Sequence, residues 1–294
     1  MINISFIGFG EAGGILARDL AAHATVTVWD RKLLNAETRQ EMEQKAAASG
    51  VRLARSLDEA LQNASLIFST VTASEALNVA LTAASNLKAG QTFLDLNSVA
   101  PATKLAAAEI VEAAGAAYID VAVMAPVPPQ RLQTPLLLGG TTAETIDGQL
   151  RELGFNSQYR SRDVGEASAI KMCRSVMIKG LEALTTECLS AARQYGVEQA
   201  VLDSLHASFP SLGWNTTLPD YLISRVAEHG QRRAEEMREV VQTLQDVNVS
   251  PAMSLGIVAT QQGLVDAIAL RGLHYQQLKP FVWQQALERI YPKE

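Results

Sequence analysis

The sequence predicts an α/β fold: a doubly wound, mostly parallel sheet over residues 1–164, followed by an all-helical C-terminal domain over residues 165–294. Three observations carry this. The chain opens on a strand-like run, Ile2, Ile4, Phe6 and Ile7, that enters Gly8-x-Gly10-x-x-Gly13 and then a helix-period segment with Ile15, Leu16 and Leu20. Short β-rich runs then alternate with helical patterns for about 160 residues. After Gly165 the strands stop and helices succeed one another to the end. The first observation specifies the Rossmann type. Asp30 closes a second strand, Thr25 to Trp29, at 17 positions from Gly13 and 22 from Gly8, bracketing the roughly 20-residue spacing of a dinucleotide-binding unit.

Each element has a local reason. Strands are expected at 2–7, 25–29, 65–69, 91–96, 116–123 and 135–139, where β-branched and aromatic residues concentrate. Helices are expected near 11–22, 33–48, 73–84 and 101–114, and at Leu57–Leu61. Ser56, Thr72 or Ser74, and Pro101 supply starts. This alternation implies parallel strands joined by right-handed crossovers. In the second half, Glu166 to Tyr195 reads as one long helix with apolar Ile170, Val176, Met177, Leu181, Leu184 and Leu189. Gly196, Pro210–Gly213, Pro219, Gly230, Pro251 and Pro280 punctuate the rest of the chain. Phe209–Trp214 reads as a loop that either closes the helical core or borders a substrate cleft, the core reading being favoured.

Composition excludes several function classes. A net charge of −6 and 5% aromatics argue against a nucleic-acid or anionic-membrane surface. No consecutive apolar run reaches the roughly 18 residues of a membrane helix. Cys173 and Cys188, the only cysteines, form neither a disulfide framework nor a metal-ligand spacing. With no secretory signal pattern at the start, a cytoplasmic location is expected.

The glycine triplet has a mechanism. Gly8 permits the turn, Gly10 lets a pyrophosphate reach the backbone, and Gly13 lets the helix pack close, so that its N-terminal amides face the phosphates. Asp30 can accept from the adenosine ribose diol and would repel a 2′-phosphate, which favours NAD. Arg31 and Lys32 pull toward NADP, which stays possible. In open α/β sheets, ligands sit at the carboxyl ends of strands. Three segments therefore stand out: Asp95-Leu-Asn97-Ser98-Val-Ala-Pro101, Asp120-Val-Ala-Val-Met124-Ala125-Pro126, and Gly165-Glu-Ala-Ser168-Ala-Ile-Lys171. In the second domain His229 and Arg233, like Arg232 and Glu236, lie four residues apart and share helix faces. They read either as a polar cluster gripping an anionic substrate or as a solvated face with an internal ion pair.

Together the three segments resemble the β-hydroxyacid dehydrogenase superfamily, which includes 6-phosphogluconate dehydrogenase and 3-hydroxyisobutyrate dehydrogenase. Its D-x-S-T-x-x-P motif appears as Asp95, Asn97, Ser98 and Pro101; its D-A-P-V-S-G-G motif as DVAVMAP; its G-x-G-x-x-x-K motif as GEASAIK, with Ala167 in place of the second glycine. HGQRRAEEM at 229–237 resembles a little-characterised phosphogluconate-dehydrogenase-like branch. The resemblance implies an NAD(P)-dependent oxidoreductase moving a hydride between the nicotinamide and a small hydroxy acid. Lys171 would be general acid/base, assisted by Ser98 and Asn97. The implied dinucleotide contacts are Gly8, Phe9, Gly10, Glu11, Ala12, Gly13, Asp30, Arg31, Thr72 and Asn97. The implied substrate contacts are Ser98, Met124, Ala125, Pro126, Arg174 and Ser175, with His229 and Arg233 joining them if the cluster reading holds. No metal is implied.

Two departures bear on the reaction. The superfamily asparagine four positions after the lysine is Ser175 here. The acid that 6-phosphogluconate dehydrogenase uses to protonate its enediol falls on Ile178, which cannot donate a proton, so decarboxylation of that sugar acid is not expected. A C=N reductase on the same scaffold is the alternative enzyme, and Lys171, usually missing there, argues against it. A non-catalytic dinucleotide sensor is the third reading. The long apolar-faced helix at 166–195 leads us to expect a homodimer or higher oligomer built through the helical domain.

Overall fold

A computed structural model of the chain describes residues 2–292. It divides into two compact units, Met1–Met172 and Cys173–Glu294. The boundary expected at 164/165 coincides with a helix start, whereas the units part inside that helix.

In the first unit, β1 (Asn3–Ile7), α1 (Glu11–Leu20), β2 (Thr25–Trp29), α2 (Ala36–Ser49), β3 (Arg52–Leu53), α3 (Leu57–Leu61), β4 (Leu66–Ser69) and α4 (Ala76–Ala84) form the first half. The second half consists of β5 (Thr92–Asp95), α5 (Pro101–Ala113), β6 (Ala117–Val123), α6 (Val127–Gln130), β7 (Leu136–Gly139), α7 (Ala143–Glu152) and β8 (Ser157–Ser161). The strands make one sheet in the order β3-β2-β1-β4-β5-β6-β7-β8. Every pairing is parallel except β6 with β7, which is antiparallel. The order reverses at β1 and β4, the switch point where such sheets bind ligands.

Both sheet faces are covered, so central strands such as β4 and β5 are buried at every residue. Ile4 and Phe6 join Leu16 and Leu20 of α1, Met42 of α2 and Ile146 and Leu150 of α7 in one core. Phe6 stacks on Phe68 at 4.8 Å between centroids, and Phe68 on Phe155 at 5.8 Å. The other face buries Ile7, Ile67 and Phe93 against Ala80, Ala83, Ala107 and Val111 of α4 and α5. Each large apolar side chain among these contributes about 1.5–3 kcal/mol by leaving water. The alanines keep α4 and α5 close to the sheet.

Several elements differ from the sequence reading. β3 has two residues and β8 reads Ser-Gln-Tyr-Arg-Ser, so neither edge strand carries an apolar period. α6 and α7 are likewise additional to the expected helices; Gly148 weakens the helix signal of α7. β7 breaks the expected parallel run. Only twelve residues, 124–135, join β6 to β7, the short end of what a parallel crossover needs. At Ser56 the expected cap forms, its hydroxyl accepting from the Glu59 amide at 3.1 Å. Thr72 instead precedes a 3₁₀ turn, and α4 begins at Ala76.

The second unit contains most of α8 (Glu166–Tyr195), then α9 (Glu198–Ser208), α10 (Leu218–Asp246), α11 (Ala252–Leu270) and α12 (Trp283–Ile290). Its core gathers Leu189, Leu202, Ile223, Val226, Leu264 and Trp283. Trp214 belongs to it, while Phe209 is exposed. Gly230 does not interrupt a helix; it lies inside α10. A Cβ there would stand 2.3 Å from the Gln261 carbonyl oxygen, so the glycine permits close approach of α11.

The apolar stripe read on α8 lies mostly outside. Met177, Leu181 and Leu184 are exposed, whereas Ser175, Lys179, Glu182, Thr185 and Thr186 are buried. No consecutive apolar run reaches membrane length, as expected, yet one helix is apolar in its average composition. By length and composition α11 is apolar enough to cross a membrane. Consecutive runs miss it because Gln261, Gln262 and Asp266 interrupt them, whereas an average over the helix does not.

Candidate active site

The glycine loop is dictated by close approach. Gly8 has φ +94°, and a Cβ there would lie 2.5 Å from the Thr70 carbonyl oxygen. At Gly13 it would lie 2.3 Å from the Gly8 carbonyl oxygen and 2.4 Å from Thr70 Oγ1. Gly10 is the opposite case, with no heavy atom within 4 Å of where its Cβ would stand. No side chain caps α1, so the amides of Glu11, Ala12 and Gly13 at its N-terminus face that open side. This is the cradle a diphosphate fits.

The acid after β2 buttresses the loop. Asp30 Oδ2 accepts from the amide of buried Phe9 at 2.7 Å, and Oδ1 from the Lys32 amide at 2.9 Å. Remaining lone pairs stay available to a ribose diol. Arg31 reaches Glu75 at 2.7 Å. Arg31, then Asn78, hold the Glu75 carboxyl below its ordinary range. The exposed Thr72 places Oγ1 3.2 Å from Ser74 Oγ. Sequence reasoning missed Thr70, whose hydroxyl donates to the Gly8 carbonyl at 2.8 Å, and Glu75.

At the end of β5, beside the middle of β6, lies a buried charge cluster. Asp95 and Asp120 are register neighbours on parallel strands. Lys104 of α5, 1% exposed, approaches Asp95 at 3.1 Å and Asp120 at 3.4 Å, and donates to the Asp95 carbonyl at 2.6 Å. Tyr118 donates to Asp95 at 2.7 Å; burial first, then Asp95 and Asp120, hold its phenol well above the ordinary range. Each carboxylate also organises a loop. Asp95 accepts from the Asn97 amide at 2.9 Å. Asp120 accepts from Gly165 and Ser168 at 3.2 and 3.0 Å, capping the start of α8.

These two anchors set the catalytic candidates. Asn97 is fixed on both sides, accepting from the Val71 amide at 2.7 Å and donating to Ser69 at 2.9 Å. Ser98 comes next in the chain, half-buried, and the Lys171 ammonium donates to the Ser98 hydroxyl. Residues 73 positions apart thus meet. Met124 and Ala125 are half-buried and Pro126 exposed in the segment leaving β6, where the Met124 amide donates to the Pro135 carbonyl at 2.9 Å. Lys104 has one sequence signal, a lone charge on the apolar stripe Lys104, Ala107, Ala108, Val111, and sequence reasoning missed it.

In the second unit Arg174 is exposed, and buried Ser175 receives a hydrogen bond from Lys179 at 3.2 Å. Arg233 donates to Glu182 at 2.6 Å in the interior, with Gln261 joining at 3.2 Å. Burial pushes the Glu182 carboxyl up despite Arg233. Glu236 pairs with Lys179 at 3.1 Å and Arg232 at 2.9 Å. The expected polar face is therefore an ion-pair network whose Arg233 charge is already met. Half-buried His229 is pushed down to about 4, by burial first and then by Arg225, Arg232 and Arg233, so it is a neutral imidazole near pH 7.

A glycine-loop cradle at the switch point of a doubly wound sheet, with a lysine–serine pair at the strand ends, defines a nicotinamide-dinucleotide-binding protein of hydroxyacid-dehydrogenase type. Comparison with known proteins agrees. Residues 3–147 match the NAD binding domain of 6-phosphogluconate dehydrogenase, and residues 192–264 match a domain of unknown function, DUF1932. A conserved hypothetical protein from Sinorhizobium meliloti is similar at 34% identity, over 99% of this chain and 97% of that one, with a TM-score of 0.76. The conserved protein MTH1747, of unknown function and described as structurally similar to 3-hydroxyacid dehydrogenases, is 29% identical over 90% and 97%, with a TM-score of 0.71. Mycobacterium tuberculosis 3-hydroxyisobutyrate dehydrogenase shares the fold at 14% identity over 99% of both chains, TM-score 0.70. The chain belongs to the 6-phosphogluconate-dehydrogenase-like family that joins this NAD-binding domain to the DUF1932 domain.

The geometry yields two expected outcomes. Gly10→Val fills the open side of the cradle, and calorimetric titration should show dinucleotide binding lost with the fold retained. Lys104→Met strands two carboxylates in the core, and denaturant unfolding should record a loss of about 3–5 kcal/mol.

Proposed function

We propose that the protein transfers a hydride between a nicotinamide dinucleotide and a small hydroxy acid, with Lys171 as the general acid/base. The observation that carries this is the Lys171–Ser98 contact, made at the carboxyl ends of the strands in the unit that holds the glycine-loop cradle. When bound, the nicotinamide supplies the hydride acceptor or donor. The residues of this chain would do the rest. Ser98 would orient the substrate hydroxyl toward the Lys171 amine, which removes its proton as the hydride departs and returns it in the reverse direction. Asn97 would hold the loop that presents Ser98. Asp30 supports NAD as the preferred cofactor, and the Arg31–Glu75 pair adds to this by occupying the cation otherwise able to meet a 2′-phosphate.

Lys171→Met keeps the length of the side chain and removes its proton. Turnover of the best hydroxy-acid substrate should fall by about 10²–10⁴, with dinucleotide affinity and melting temperature nearly unchanged. Retention of more than about a tenth of wild-type turnover in that variant would move the proton transfer to another group and sink this reading.

We also propose that the helical unit pairs with a second copy of the chain. Met177, Leu181 and Leu184 on α8, with Met253 and Leu255 on α11, leave more apolar surface open than single scattered residues would. Sedimentation at micromolar concentration should show a species of at least twice 31.6 kDa, and a pure monomer would refute the pairing.

A further inference from the structure

A lysine outside the glycine motif is built into its loop. Lys45, from α2, donates to the Phe9 carbonyl at 2.5 Å and to the Gly10 carbonyl at 2.8 Å, and its ammonium lies 4.6 Å from the centre of the Phe9 ring. Room for it exists because position 14 is glycine. A Cβ there would stand 2.9 Å from both Lys45 Cε and Nζ. The Phe9 segment is thus held on one side by Asp30, at its amide, and on the other by Lys45, at its carbonyl.

The choice of carbonyls matters. The Phe9 carbonyl shares a peptide group with the Gly10 amide, and the Gly10 carbonyl shares one with the Glu11 amide. A cation bonded to a carbonyl draws electron density through the peptide and makes its N–H a stronger donor. Both amides belong to the turn that leads into the N-terminus of α1, where a diphosphate binds. Two acids stand near the same place, Asp30 and Glu11, and both oppose an incoming phosphate. Burial pulls the Lys45 amine below the ordinary lysine range and Lys32 adds to this, while Asp30, Glu41 and Glu11 oppose it. Lys45 is the cation among these groups that touches the loop.

We propose that Lys45 is part of the diphosphate-binding site of the dinucleotide, polarising the Gly10 and Glu11 amides and offsetting the charge of Glu11 and Asp30. It is a positioning and electrostatic residue common to NAD and NADP, and its role does not depend on the identity of the oxidised substrate.

Calorimetric titration with NAD and with NADP tests this. Lys45→Met should weaken both by about the same factor, roughly tenfold, as expected for loss of a charge-assisted contact. Glu11→Gln in the Lys45→Met background should recover part of that loss, because it removes the uncompensated acid. A role limited to holding the loop in shape makes the gain from Glu11→Gln equal in the two backgrounds, whereas charge compensation makes it larger where Lys45 is absent. Glu11→Gln alone, at an exposed position, should tighten NAD less than it does in the Lys45→Met background. Lys45→Gln, which removes the charge and keeps an amide donor, decides the matter by the same loss of affinity if Lys45→Met does not fold. Unchanged NAD affinity in Lys45→Met overturns the proposal. So does a loss confined to NADP, which would assign Lys45 to the 2′-phosphate, and so does an equal gain from Glu11→Gln with and without Lys45.

Discussion

The candidate site of the first unit hangs on one buried interaction, the bridge of Lys104 to Asp95 and Asp120. Parallel pairing of β5 and β6 sets the two carboxylates side by side in the interior, which costs free energy unless a cation and hydrogen-bond donors meet them. Lys104 supplies the cation; Tyr118 and backbone amides supply the donors. The amides are not incidental. One belongs to the turn that carries Asn97 and Ser98, the others to the first turn of the helix that carries Lys171. Satisfying the buried acids and aiming the reactive side chains are therefore one structural act.

The first unit is legible in the sequence where a residue type has a single physical use. Gly8 and Gly13 can be read from spacing because no side chain fits against Thr70 or the Gly8 carbonyl. The strands β1, β2, β4, β5, β6 and β7 can be read from their apolar content, which runs from wholly buried β4 and β5 to β2, where threonine and valine alternate. The edge strands β3 and β8 cannot, since one is two residues long and the other is mostly polar. Lys45 and Lys104 illustrate a different limit. Each makes its contacts through folding in three dimensions, and a lone lysine on a helix gives no local sign of the carbonyl or carboxylate it will meet.

The middle turns of α8 invert the usual rule for helices, while the rest of the second unit buries apolar residues such as Ile223, Val226 and Trp283. α8 turns Lys179, Glu182 and Thr186 inward and leaves Met177 and Leu184 outside, so an argument from apolar periodicity finds the right helix and the wrong face. The interior face is workable because Arg233, Glu236 and Gln261 from α10 and α11 meet those charges. The His229–Arg233 pairing seen in the sequence is real as a shared helical face, yet the two side chains have different fates. Arg233 is consumed by Glu182, and burial together with the arginines around His229 keeps its ring neutral.

Gly14 lies just beyond the three-glycine signature and sits in ordinary helical backbone, so its constraint comes from another helix. A methyl group there collides with the end of Lys45, while the same methyl beside a shorter side chain at position 45 meets open space or the Phe9 ring at 3.8 Å. The two positions are thus epistatic. Alanine at 14 displaces the flexible end of Lys45 rather than any backbone, so its cost falls on the contacts of Lys45 with the loop and depends on what stands 31 residues later. The extent of a nucleotide-binding motif is then set by the side chains that reach back to it as much as by its own consecutive letters.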